Sequence, residues 1–253
     1  NSRLHKTQKH INLIYITMLG LLIIIIISWV LLHFIEKKNL HVLGIIPSFN
    51  RLGQFVIGFL VITIIVLINI FIETQILKIQ WKLSTIDYSI LSRAFVYHLK
   101  SALTEDLVFR GAILYILIRR LRPTKALWLS AIVFGVYHWF SYGILEERVV
   151  LLAYVFVVTG FTGYVWSYTF YKTKSIMMGL GFHLGVNMIN TCFFESQPYG
   201  EIIFQKISSI ELRDWNLLFM ILFKGLFPSL VTLFFVKQYL KYNSSKLKNE
   251  EGY

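Results

Sequence analysis

Glu105, Asp106 and Arg110 stand within six residues of one another in a chain that is otherwise largely apolar. Two histidines and an asparagine follow downstream, His138, His183 and Asn187. A carboxylate can act as general base on a water. Histidines can hold a divalent metal, orient the water or stabilise an oxyanion. An asparagine amide is a good oxyanion donor. Together these groups suit hydrolysis of a peptide bond with no Ser or Cys nucleophile. The soluble zinc-protease pattern H-E-x-x-H is absent, so the glutamate and the histidines must converge from different helices.

Charge at bilayer depth is costly, roughly 2.5–3.5 kcal/mol for an Asp or Arg near a helix centre, which makes such residues functional by default. Asp106 and Arg110 are i and i+4 and can neutralise each other on one helix face. Glu105 lies about 100° around the helix from Asp106, free to point into a cavity. Taken alone, the segment is explained equally well as a loop-end charge cluster at the membrane surface. The other polar positions sharpen the reading. His183 and Asn187 are i and i+4 and share a face. Gly181 and Gly185 form a GxxxG pair roughly opposite, suited to close packing against a neighbouring helix.

The elements that must position these residues are membrane helices. The chain has 253 residues, 56% of them hydrophobic and only 15% charged, with a mean hydropathy of +0.64. A soluble domain carries more charge. The apolar residues come in long runs, so a single polytopic all-α membrane domain of seven or eight transmembrane helices is expected over 1–253. The net charge of +12 is read as loop and tail Lys and Arg facing anionic lipid, not as a nucleic-acid surface. The lone Cys192 excludes an intrachain disulfide framework.

Apolar runs are expected at 11–34, 52–77, 89–121, 125–142, 149–171, 175–194 and 215–240. The first is too long for a signal-peptide core and has no small-residue cleavage site after it, so it reads as a retained helix. Pro47 and Gly53 break the chain before the second run, and Trp81 suits a membrane-interface belt. Pro123 stops the third run, Pro228 is a candidate kink in the last, and residues 241–253 read as a charged, disordered tail. The basic N-terminus, the turn at 119–125 and the tail all favour the cytoplasmic side. Seven simple spans cannot satisfy both termini, so either 89–121 is two elements or one span is re-entrant. No internal repeat is visible.

Three motifs in order now become recognisable. Glu105-Asp106-x-x-x-Arg110, Phe134-x-x-x-His138 and His183-x-x-x-Asn187 resemble the E-E-x-x-x-R, F-x-x-x-H and H-x-x-x-N of the CAAX protease and bacteriocin-processing (Abi) family. The surrounding words FRGAILYILI and FGVYHWFSYG look like bacterial members. The resemblance covers roughly 89–195, the expected catalytic core. It implies an intramembrane endopeptidase in which Glu105 activates water and Arg110 holds the acidic pair. His138 and His183 would ligate a divalent metal such as zinc, or hold the water and oxyanion, with Asn187 as an oxyanion donor. The family is described both as metal-dependent and as a metal-free glutamate type. Asp106 departs from the usual second Glu. It keeps the charge, still suits pairing with Arg110, and puts in doubt a direct catalytic role for that position.

The implied substrate is a prenylated or membrane-associated protein or peptide, and the implied location a bacterial cytoplasmic membrane. A non-catalytic immunity or scaffolding protein on the same fold is the alternative. A proton-coupled transporter using Glu105 and the histidines as a relay is another, which the lack of repeats disfavours. Other polar residues take plainer readings. His33, His41 and His98 are expected at helix ends or on an amphipathic face. Asn12, Asn69 and Asn190 are candidates for bonds between helices. Tyr137 and Trp139 suit packing, and Glu146 and Glu147 a solvated turn.

Overall fold

The computed structural model describes the backbone of residues 2–250 and the side chains of residues 18–243. The described chain is a helical bundle: α1 (Ser2–Glu36), α2 (Phe49–Leu77), α3 (Tyr88–Arg110), α4 (Ala112–Arg120), α5 (Pro123–Ser141), α6 (Val149–Thr173), α7 (Met177–Phe193) and α8 (Asp214–Glu250). Four helical segments are long and apolar enough to cross a membrane: Met18–Glu36, Phe49–Leu77, Val149–Thr173 and Asp214–Asn243. The molecule is a polytopic helical membrane protein. The polar residues Asn12, Arg3, Lys6 and Lys9 lie outside the described side chains.

The 89–121 stretch is two elements. Gly111 separates α3 from α4, and a Cβ there would meet the Leu107 carbonyl oxygen. At 9 residues, α4 rises only about 14 Å and cannot cross hydrocarbon by itself. Its basic end is anchored, since Arg119 Nε and Arg120 Nε donate to the two carboxylate oxygens of Glu36 at 2.6 and 3.0 Å. The end of α1 and the 119–125 turn therefore share a side of the bundle.

Helix ends follow from local chemistry. Asp87 caps α3, accepting from the amides of Ser89 and Ile90 at 2.8 and 3.3 Å. Bonds from Ser89 hold the Asp87 carboxyl below the usual carboxylate range. Ser48 caps α2, accepting from Arg51 N, and Pro123 opens α5, where its missing N–H is no loss. Pro228 sits inside α8 without ending it. The helix continues through Glu250, so the backbone of 241–250 is helical where a disordered tail was expected.

A two-stranded antiparallel pair, β1 (Gln80–Leu83) and β2 (Phe204–Ser208), closes one end of the bundle. It joins the α2–α3 loop to the α7–α8 loop. Trp81 works there as a packing residue. Its Nε1 donates to Thr74 Oγ1 at 2.9 Å, and its ring meets Phe193 and Phe194 edge-on.

The central helix is α7, which packs most extensively against α2. The GxxxG face explains how. A Cβ on Gly181 would strike the Phe55 carbonyl oxygen, and one on Gly185 would strike Ile62 Cγ2. Gly181→Val should therefore splay the two helices. We expect a loss of about 1–3 kcal/mol, read as a lower unfolding temperature in detergent.

Candidate active site

Helices α3, α5, α6 and α7 bring the polar residues together. On α3, Asp106 and Arg110 form the expected pair, Arg110 Nη1 donating to Asp106 Oδ1 at 2.7 Å. Both are sealed from solvent, with side-chain exposures of 0% and 2%. An aromatic box completes the seal, the guanidinium carbon lying 4.2 Å from the Phe134 ring centre and 4.9 Å from that of Trp166. These ring faces attract the cation. Arg110 Nε and Nη2 and Asp106 Oδ2 make no hydrogen bond among the described residues.

Asp106 has a second partner that the sequence did not reveal. His183 Nδ1 lies 3.2 Å from Asp106 Oδ1. An ionised carboxylate only accepts, so Nδ1 carries the proton and donates, leaving Nε2 with its lone pair. That nitrogen faces Glu105 Oε2 at 3.9 Å. The gap is too long for a direct hydrogen bond and suits a shared water. Glu105 is 18% exposed, unlike its sealed neighbour. Adjacent acids on one helix thus have different environments: Asp106 is spent on Arg110 and His183, while Glu105 keeps access to water.

His138 enters from α5. Its Nδ1 donates to the Phe134 carbonyl at 2.8 Å, the i−4 position of its own helix, which fixes the ring. His138, His183 and Asn187 line one cavity of about 290 Å³. Glu105 is not among the lining residues and meets the site through His183. Among the described residues Asn187 makes no side-chain hydrogen bond, so its amide is open to a ligand.

His138 and His183 alone would give a metal ion two protein ligands. A catalytic zinc takes three protein ligands. Among the described residues no three His, Cys, Asp or Glu side chains are grouped to hold an ion.

Residues given plainer roles divide. His33 and His41 are exposed, as are Glu146 and Glu147. Trp139 donates to the Leu152 carbonyl, and Tyr137 packs on Phe109 and Phe134. Cys192 is buried. His98 is a correction: it is 3% exposed, not interfacial. The fold of the 194–203 loop over α3 buries it, with Thr191 Oγ1 at 2.7 Å and the Pro198 carbonyl at 3.3 Å. Asn69 does bond between helices, donating to the Lys224 carbonyl at 3.0 Å.

Fold and site define a polytopic helical membrane protein with a half-buried carboxylate set against a histidine at the edge of an internal cavity. Residues 87–189 match the family model for Rce1-like proteins, described as type II CAAX prenyl endopeptidase. The matched segment is under half of the chain and holds all six candidate site residues, Glu105, Asp106, Arg110, His138, His183 and Asn187. The match stops short of α1, α2 and α8. No curated protein and no solved structure matches the chain.

Proposed function

We propose that this protein is a glutamate-type intramembrane endopeptidase that hydrolyses a peptide bond in a prenylated or otherwise membrane-associated protein or peptide. The observation that carries the reading is the 3.9 Å approach of Glu105 Oε2 to His183 Nε2, with His183 oriented from behind by Asp106. A water between these two acceptors gives one proton to Glu105 as its oxygen attacks the scissile carbonyl carbon. Its other hydrogen rests on His183 Nε2. The Asn187 amide donates to the oxyanion that forms. As the C–N bond breaks, Glu105 returns its proton to the leaving nitrogen. His138, pinned to Phe134, shapes the wall of the cavity beside the reacting bond. Arg110 is a positioning residue, acting through Asp106.

The words around the motifs look like those of bacterial members, and on that likeness the proposed location is a bacterial cytoplasmic membrane. The competing form of the reaction makes His138 and His183 ligands of a zinc ion. The test of function is incubation of the purified, detergent-solubilised protein with a synthetic S-prenylated peptide, the products identified by mass. Cleavage on the carbonyl side of the modified cysteine supports the proposal. An intact peptide after prolonged incubation overturns it.

A further inference from the structure

The cavity has a second polar end. Beyond Asn187 it is lined by Asn190 and Phe194 from the α7 side and by Lys224 of α8. Among the described lining residues, Lys224 is the one with a permanent charge. A lysine inside an apolar span is expensive and marks function by default. Its ammonium is held in place, donating to Glu73 Oε1 at 2.7 Å and lying 4.3 Å from the Phe194 ring centre. The side chain is still 39% exposed. An ammonium has three donors, so the Glu73 bond leaves two for a ligand. Asn190, half-buried one turn before Phe194, makes no side-chain hydrogen bond among the described residues.

The spacing fixes what ligand fits. From Asn187 to Phe194 the helix rises about 10 Å, at roughly 1.5 Å per residue. An extended peptide advances about 3.3–3.6 Å per residue. A chain with its scissile carbonyl at Asn187 therefore brings the third residue beyond the cut to Lys224. We infer that Lys224, with the Asn190 amide, is the receptor for the substrate's C-terminal carboxylate, and so sets how many residues are released. The inference rests on the peptidase reading above. Glu73 holds the ammonium between turnovers and competes with the arriving carboxylate, since like charges repel in a shared site.

The test compares one probe in two forms: a peptide with an S-prenylated cysteine followed by three apolar residues, as free acid and as C-terminal amide. Wild type should favour the acid by about 10–100-fold in kcat/KM, the range for a hydrogen bond to a charged group, mostly through KM. Glu73→Gln should widen that preference. The double variant Glu73→Gln/Lys224→Met, which removes both charges together, should bring the acid-to-amide ratio close to one. Equal use of both forms by wild type, or a preference that survives in the double variant, overturns the inference. An ion pair with a structural role alone would lower stability in the variants and leave the ratio unchanged. Failure of the peptidase reading is separable. If neither form is cut, binding of both peptides to Glu105→Gln reads the carboxylate site directly: the acid should bind about tenfold or more tightly, and equal binding refutes the assignment.

Discussion

Glu105→Gln is expected to slow peptide hydrolysis by about 10²–10⁴-fold, the range for loss of a positioned general base. The substitution keeps the shape of the side chain and removes its ability to take a proton. The fold should survive it. Glu105 is partly exposed and its hydrogen bond within the protein is a long one, from Ser101 Oγ at 3.5 Å. The variant should therefore extract and unfold in detergent as wild type does, with the loss confined to kcat. Rates near wild type, with the variant's identity verified by mass, would remove Glu105 from the mechanism.

Arg110→Met should act on stability instead. Arg110 is 1% exposed and is among the largest fully buried side chains. Removing it strands the Asp106 carboxylate, which is 0% exposed and among the described residues has only His183 left as partner. Breaking a buried pair from one side typically costs about 3–5 kcal/mol. The neutral double variant Asp106→Asn/Arg110→Met should recover part of that loss, because no uncompensated charge remains. Thermal unfolding of the three proteins in one detergent checks the order: wild type above the double variant, and the double variant above Arg110→Met. Activity should stay low in the double variant, because an Asn side chain no longer fixes the His183 tautomer as a carboxylate does.

Much of this architecture was legible in the residues. The apolar runs fall within a few residues of α2, α5, α6 and α7 and lie inside the longer α1 and α8, because long hydrophobic stretches leave the backbone no other way to satisfy its polar groups in lipid. The i,i+4 rule gave the Asp106–Arg110 pair, and GxxxG gave the face that α7 turns to α2. What was not legible depends on contacts between distant segments. The β1–β2 pair is short, and the polar–apolar alternation of Gln80–Leu83 covers only 4 residues, too few to announce a strand. His98 looked interfacial because its neighbours Arg93 and Lys100 are charged, while its burial comes from a loop about a hundred residues away. The same holds for the Asp106–His183 contact, which joins α3 to α7 and gives the second acid a role that spacing alone did not suggest. Lys224 and Glu73 passed unremarked because each is a single charge within an apolar run, and only the packing of α2 against α8 pairs them.

The proposed reaction uses a water activated by Glu105 and oriented by His183, with no metal in the step. The most direct test measures metal content and peptidase activity on one preparation, before and after exhaustive chelation, beside Glu105→Gln. The predicted result is cleavage that depends on Glu105 and persists in metal-free protein. A stoichiometric zinc whose removal abolishes cleavage, and whose return restores it, would contradict this and make His138 and His183 its ligands.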